Sequence, residues 1–470
     1  MPRDFDIAVV GSGFGGSLMA MIARQLGRSV ILIERGRHPR FAIGESSTPL
    51  ANLLLEELAR DYRLEALMPL TKWGTWQAKH PELACGLKRG FTFYHHQLGQ
   101  PWKADELRRN ELLVAASPHD LIADTHWYRA DVDHFFVREA QRLGVEFVDR
   151  TDLNAAQLSD DSVRLSGPNF SVRAGFVIDA SGPRGFLHRA LKLTESEFEG
   201  FPATQALCSH FENVQRWEHL PCYSDGAPPY PVDDAALHHI FPGGWIWVLR
   251  FNNGITSAGV TTINDVSDKA KSWARLLALV PSIQQQFAQA KPVLPLMYLP
   301  RVAFRAAKAV GQRWAMLPSA AGSIDPLLST GFPLTLLGVA RLARLMRDGW
   351  EQAALEDYER TTFIELDRTA NLVARLYSHF DDFGKFCSIA MIYFAAASYA
   401  EAARRLNRPE KAPSFLSGAD QPLESINVAG LANPSRRNWY PCRAEDLLEN
   451  CWKLAVTPRE AREMLQRVGF

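Results

Sequence analysis

The apolar run Ile7-Ala8-Val9-Val10 ends in Gly11-Ser12-Gly13-Phe14-Gly15-Gly16, after which small and apolar residues recur at helical spacing over residues 17–26. A second apolar run, residues 29–33, closes at Glu34, 23 residues after Gly11. Strand, glycine turn, helix and strand within about 30 residues is the start of a dinucleotide-binding α/β fold. Gly11 permits the tight turn, Gly13 lets the backbone approach a pyrophosphate, and Gly16 lets helix and strand pack closely. Glu34 ends the second strand, placed to accept hydrogen bonds from a ribose. Gly11, Gly13, Phe14, Gly16 and Glu34 are therefore the first cofactor-binding candidates.

This fingerprint alone does not choose between NAD and FAD. It occurs once in the 470 residues, and a late segment, residues 314–317, returns to the style of the nucleotide domain. Asp325-Pro326-Leu327-Leu328-Ser329-Thr330-Gly331 follows, leading into a helix-like apolar run from Phe332. A glycine-containing turn entering a helix presents unpaired N–H groups and a positive dipole end, which suit an anion. There it would reach the far end of an extended cofactor, which favours FAD. Asp179-Ala180-Ser181-Gly182, after a strand over 172–178, adds another element of a nucleotide domain.

Between these landmarks the pattern changes. Residues 72–102 are rich in aromatics and turns and read as short strands and loops bordering a pocket. From about 201 to 304 short alternating strands such as 244–251 and 256–262 predict an inserted antiparallel sheet. Residues 332–407 read as mainly helical, and the proline-rich remainder as irregular until a closing helix from Pro458. The expected organisation is a discontinuous FAD-binding domain, residues 1–200 and 305–345 and including 72–102. A sheet domain over 201–304 and a helical region over 346–470 complete it. Formal net charge is zero, so a nucleic-acid role has no electrostatic footprint. The nearly uncharged stretch 387–400 is shorter than the roughly 20 residues of a spanning helix. Residues 1–6 pass straight into an apolar strand, so no secretory leader is expected. Six scattered cysteines without metal-site spacing read as free thiols of a cytoplasmic protein.

Gly11–Gly16, Gly44-Glu45-Ser46-Ser47-Thr48-Pro49 and Asp325–Gly331 taken together make the chain resemble the flavin-dependent halogenases, whose fold is like that of p-hydroxybenzoate hydroxylase. Trp245-Ile246-Trp247 is similar to the start of that family's W-x-W-x-I-P motif, although Leu249 and Arg250 stand where Ile and Pro would be. The resemblance implies an FAD-binding Rossmann-like domain of the GR2 type with an inserted antiparallel β-sheet substrate domain and a helical C-terminal region. It adds Glu45, Ser46, Arg129, Asp325 and Gly331 to the FAD-binding candidates.

The chemistry implied by the resemblance begins with reduced FAD and oxygen giving a C4a-hydroperoxide. Chloride or bromide, held by the backbone of Thr330 and Gly331, attacks its distal oxygen. The hypohalous acid then travels to a lysine that delivers the halogen to an electron-rich ring. Lys72, 27 residues after Glu45 in a K-x-G context, is the first candidate, with Lys79 and Lys88 behind it. Trp73, Tyr94, His95, Trp245, Trp247 and Leu328 are candidate pocket residues. Adjacent His95 and His96 would point to opposite faces of a strand, so at most one enters a given pocket.

Leu328 stands where tryptophan halogenases carry a glutamate that assists arenium deprotonation. Phenols and pyrroles, activated by their own OH or NH, are thereby favoured over indoles. The expected partners are a small aromatic substrate, either free or carrier-bound, and a separate flavin reductase. An aromatic monooxygenase or prenyl-chain reductase on the same scaffold is the alternative reading, and a non-catalytic flavin-binding protein the second.

Overall fold

Strand Arg3–Val10 lies inside a parallel sheet, between Val30–Ile33 on one side and Phe170–Asp179 on the other. The computed structural model describes residues 3–417 except 225, together with 419 and 439–440. The closing helix expected from Pro458 lies outside these residues. Glu146–Val148 and Trp314–Met316 extend the sheet in parallel, and the short strand Val310–Gly311 adds an antiparallel edge. All four side chains of Val30–Ile33 are buried, as expected of a parallel strand covered on both faces. The late segment 314–317 thus rejoins the nucleotide sheet beside Phe170–Asp179.

Helix Phe14–Gln25 follows the glycine turn, and ten of its residues are buried. The turn is set by sterics. Gly11 sits at φ +99°, where a β-carbon would lie 2.6 Å from the Ala180 carbonyl oxygen. A β-carbon on Gly16 would come within 1.9 Å of the Gly11 carbonyl oxygen, so only glycine allows this helix–strand approach.

The second sheet joins distant parts of the chain. Gln205–Glu212, Thr256–Thr262, Gly244–Arg250 and Ala236–Phe241 pair antiparallel in that spatial order. Gly90–His95 then adds in parallel to Ala236–Phe241, and Glu111–Ala115 follows. Two expectations are corrected here. Residues 90–95 belong to the second sheet rather than the nucleotide unit, and that sheet is mixed rather than purely antiparallel. Parallel pairing of segments some 140 residues apart leaves no local trace in sequence.

Alternation divides this sheet into two faces. Phe91, Phe93, Trp245, Trp247 and Leu249 join the large core shared with the nucleotide sheet, whereas Tyr94, Ile246 and Val248 pack into a separate core on the other side. Helices Gly331–Asp348, Gln352–Tyr377 and Phe383–Arg405 complete the described chain. The last of these spans 23 residues and is, by length and composition, long and apolar enough to cross a membrane, longer than the uncharged core of its sequence implied. Its Phe386 and Phe394 nevertheless pack edge-on against Phe93 and Phe91 of the second sheet.

Candidate active site

A cavity of about 1160 Å³ runs from the glycine turn to the second sheet. At one end Gly11, Gly13, Phe14, Gly16 and Glu34 border it. Glu34 is 5 % exposed, and its carboxylate accepts from Ser12 N (3.0 Å), Ser12 Oγ (2.9 Å) and Gly36 N (2.9 Å). Burial by itself raises the Glu34 pKa, but Arg40 at 3.3 Å and these donors outweigh it and hold the carboxyl below its ordinary value. An anionic acceptor is thereby kept at the end of the second strand.

Arg129 and Asp133 form a buried bidentate pair at 2.8 Å. The remaining Nη1 of Arg129 donates to the Ile43 and Gly44 carbonyls, and Asp133 accepts from Phe14 N at 3.1 Å. One arginine therefore ties the 44–49 loop to the start of helix Phe14–Gln25, on the cavity wall.

In that loop, Glu45 and Ser46 also face the cavity. Glu45 Oε1 is 2.7 Å from Nε2 of His210 on the second sheet. Trp127 N donates to the Glu45 carbonyl at 2.6 Å, so the loop is strapped to strand Asp124–Trp127. Ser46 Oγ is buried with no hydrogen-bond partner, an acceptor and donor left for a guest in the cavity. At the opposite wall helix Gly331–Asp348 begins without a side-chain cap, and Thr330, Gly331 and Phe332 line the space. A β-carbon on Gly331 would meet no heavy atom within 4 Å. An uncapped 18-residue helix opening onto a cavity is a site for negative charge. A glycine-turn cradle, the orphaned Ser46 hydroxyl and this helix start fit an extended anionic cofactor of the FAD kind.

Trp245 and Trp247 line the sheet side of the cavity, with Leu249 and His238. Arg250, standing where the tryptophan motif would have proline, donates to Asp233 at 2.8 Å and to the Val214 carbonyl at 2.9 Å. The departure from the motif thus serves a contact beyond the cavity.

Several expected residues lie elsewhere. Asp325 does not reach the cofactor space: it is fully buried, accepting from Trp245 Nε1 (3.0 Å), Leu327 N (3.0 Å) and Tyr377 OH (2.7 Å). Burial pushes its pKa up to about 7, against the pull of these donors. Leu328 is likewise fully buried and absent from the cavity wall, because the short helical turn Pro326–Leu328 rotates it inward. Tyr94 packs between Trp102 and Trp217 in the outer core. His95 is on the inner face, but its Nε2 is 3.0 Å from the Phe380 carbonyl and its ring stacks on Phe383. Lys72 caps the start of helix Trp73–Lys79, half-exposed with its neighbour Trp73, and neither borders the cavity; Lys79 is exposed.

Lys88 is different. It is fully buried, and its Nζ donates to the Ser47 carbonyl at 2.5 Å and lies 4.0 Å from the Phe91 ring centroid. It stands one layer behind the wall residues Ser46 and His238. The His238 ring stacks on Phe93 at 4.6 Å and is held neutral, its pKa pushed down to about 3 by burial first and by the charge of Lys88 second. His238 carries no mark in the sequence, whereas Ser47 belongs to the Gly44–Pro49 motif and Phe91 to the aromatic segment 72–102. The available signal was Lys88-Arg89-Gly90-Phe91-Thr92-Phe93, a lysine entering a strand of alternating aromatic residues.

A family model described as tryptophan halogenase matches residues 116–382. Monodechloroaminopyrrolnitrin halogenase PrnC of Pseudomonas fluorescens is 30% identical over 409 residues, 83% of this chain and 69% of that protein. The chain belongs to the flavin-dependent halogenase family. Tetracycline 7-halogenase of Kitasatospora aureofaciens is 28% identical, with 99% of this chain and 86% of that protein covered. Among solved structures, halogenase PltM in complex with phloroglucinol and FAD superimposes with a TM-score of 0.80 at 26% identity, over 99% of this chain and 96% of that one. This halogenase uses FAD, supplied reduced, with chloride or bromide as co-substrate, and halogenates aromatic rings. The monooxygenase, reductase and non-catalytic readings fall away.

Proposed function

We propose that this halogenase acts on a phenolic or pyrrolic ring and that Lys88, rather than Lys72, relays the halogen. The observation that carries the relay assignment is burial: Lys88 is the one fully buried lysine among the described residues. A desolvated amine is the form able to take up electrophilic halogen, and Lys72, which is half-exposed, is not desolvated in that way. Bound reduced FAD supplies the oxygen activation that turns halide into hypohalous acid. The chain's own part is to hold halide at the Thr330–Gly331 helix start, to exclude water with Trp245, Trp247 and Leu249, and to present Lys88 behind Ser46.

Substrate class is supported from two sides. Leu328 places no carboxylate in the cavity, so the ring must be activated by its own OH or NH. Relatives include a 1H-pyrrole-2-carbonyl-[peptidyl-carrier protein] brominase of Pseudoalteromonas luteoviolacea, and the PltM structure contains phloroglucinol. A carrier-bound substrate, a separate flavin reductase and a cytoplasmic location belong to the same reading.

The test is Lys88→Ala beside Lys72→Ala, with FADH2, bromide and a panel of phenols, pyrroles and indoles followed by mass spectrometry. Lys88→Ala is expected to lose brominated product while FADH2 oxidation continues, and Lys72→Ala to keep it. Product surviving in Lys88→Ala, or vanishing in Lys72→Ala, refutes the assignment. Products formed from indoles alone refute the substrate class.

A further inference from the structure

We infer that Asp124 is the proton partner of Lys88, taking a proton from the ammonium before halogen uptake and returning it when the halogen leaves for the ring. The inference rests on Lys88 being the relay lysine and adds to that reading a positioning residue acting through it.

The geometry starts from strand register. Cys85–Lys88 and Asp124–Trp127 form a two-stranded antiparallel sheet in which Lys88 and Asp124 are direct partners. Direct partners project from the same face with β-carbons about 5 Å apart. Both side chains are buried, Lys88 at 0 % exposure and Asp124 at 4 %. Asp124 Oδ1 accepts from Asn52 Nδ2 at 2.7 Å, whereas Oδ2 is buried with no hydrogen-bond partner. The 44–49 loop holds both ends of this arrangement. Ser47 offers its carbonyl to Lys88 and donates from N and Oγ to the Thr125 carbonyl. Thr48 starts the helix that carries Asn52.

Other charged groups do not replace either member. Glu401, Arg405 and Tyr393 on helix Phe383–Arg405 face Asp124, but the first two bond each other at 2.6 Å and burial pushes the Tyr393 hydroxyl up, so it stays protonated. His126 and His238 face Lys88, and burial holds both neutral. Burial pushes Lys88 down and Asp124 up, toward neutrality from opposite sides. In the proposed cycle these two cross-strand partners hold one proton between them.

The cycle balances with that single proton. Lys–NH3⁺ and Asp–COO⁻ become Lys–NH2 and Asp–COOH. The amine attacks hypohalous acid: the N–X bond forms, the O–X bond breaks, and one amine proton leaves with the hydroxyl as water. The ring then takes X⁺ from Lys–NHX while Asp–COOH protonates the departing nitrogen. The C–X bond forms, the N–X bond breaks, and Lys–NH2 and Asp–COO⁻ are restored beside an arenium ion. Loss of the ring proton to Lys–NH2 returns the starting pair. No glutamate is needed at position 328.

The pair predicts a bell-shaped pH profile for product formed per hypohalous acid generated. A second proton at low pH blocks the amine, and loss of the shared proton at high pH removes the donor. The experiment uses the FAD-loaded enzyme with FADH2, chloride and phloroglucinol as probe. Asp124→Asn is expected to lower product formation roughly 100-fold, within the range of general acid–base contributions, with FADH2 oxidation unchanged. The alkaline limb should vanish. Once the carboxylate is gone, burial alone keeps the Lys88 amine neutral, so a protein-bound haloamine should still form and, lacking its acid, persist after gel filtration, detected by oxidation of thionitrobenzoate. Asp124→Glu should restore part of the rate and the limb. Wild-type rate and profile in Asp124→Asn, or loss of product without a persistent haloamine, overturns the inference. If Asp124→Asn fails to fold, Asn52→Ala serves: removing a donor from the carboxylate should move the alkaline limb to higher pH, and an unmoved limb overturns the inference. Product formation by Lys88→Ala would instead overturn the relay assignment. Lost product in Lys88→Ala with wild-type behaviour in Asp124→Asn would refute the proton pair alone.

Discussion

Replacing Asp325 with asparagine should stabilise this enzyme at alkaline pH and flatten its stability profile. The carboxyl is fully buried and titrates near 7 instead of the ordinary 3.8, chiefly because burial penalises its charge. A carboxyl whose pKa is raised on folding stabilises the native state fully below its unfolded value, and that stability is lost as pH rises through the folded one. At about 1.36 kcal/mol per pH unit, the wild type loses up to about 4 kcal/mol between pH 4 and pH 7, and roughly 3 kcal/mol of this above pH 5. Asparagine escapes that penalty. Its Oδ1 can accept from Trp245 Nε1 and Leu327 N as Asp325 Oδ1 does, each at 3.0 Å. The amide nitrogen cannot accept from Tyr377 OH, which costs about 1 kcal/mol at every pH. Asp325→Asn should therefore be about 1 kcal/mol less stable than wild type near pH 4 and roughly 2–3 kcal/mol more stable at pH 8. Urea unfolding at pH 4 and pH 8, at one fixed FAD concentration, measures both differences. Equal stability differences at the two pH values would show that Asp325 is charged in the native protein across this range and would refute the reasoning.

Four further substitutions probe the site. Gly16→Ala places a β-carbon 1.9 Å from the Gly11 carbonyl oxygen and should cost roughly 3 kcal/mol or more, with loss of flavin absorbance from the purified protein. Gly331→Ala meets no neighbouring atom, so the melting temperature should hold while the halide KM rises and kcat/KM for bromide falls. Arg129→Ala strands the buried Asp133 carboxylate and should cost about 3–5 kcal/mol in urea unfolding. Leu328→Glu should not create an indole halogenase: the site is fully buried, and the new carboxyl should cost about 4 kcal/mol, read as a lowered melting temperature without indole product.

The nucleotide half was legible because its signals are local. A strand, three glycines with separate steric duties and an acidic residue at the next strand end occupy one short stretch. Gly11 and Gly16 are required by contacts to Ala180 and to Gly11 itself. The W-x-W pair was legible for a related reason. Alternation along Gly244–Arg250 sends Trp245 and Trp247 to one face and Ile246 and Val248 to the other, so two tryptophans spaced by one residue must share whatever lies on their side.

The proposed relay lysine was not legible by the same logic. Lys72 and Lys88 both precede a glycine by two residues, and both glycines are sterically required: a β-carbon on Gly74 would lie 2.7 Å from the Leu121 carbonyl oxygen, and on Gly90 2.1 Å from that of Val114. What separates them is the chain that follows. Trp73–Lys79 is a helix at the surface, whereas Gly90–His95 enters the second sheet in parallel beside Ala236–Phe241. That pairing buries Lys88, and Asp124 comes opposite it through a third segment. Three stretches distant in sequence therefore decide the charge of one amine. A halogenase without a carboxylate at position 328 needs its proton acceptor from somewhere, and in the cycle proposed above a lysine facing an aspartate across two strands supplies one where a motif scan of either strand alone finds nothing.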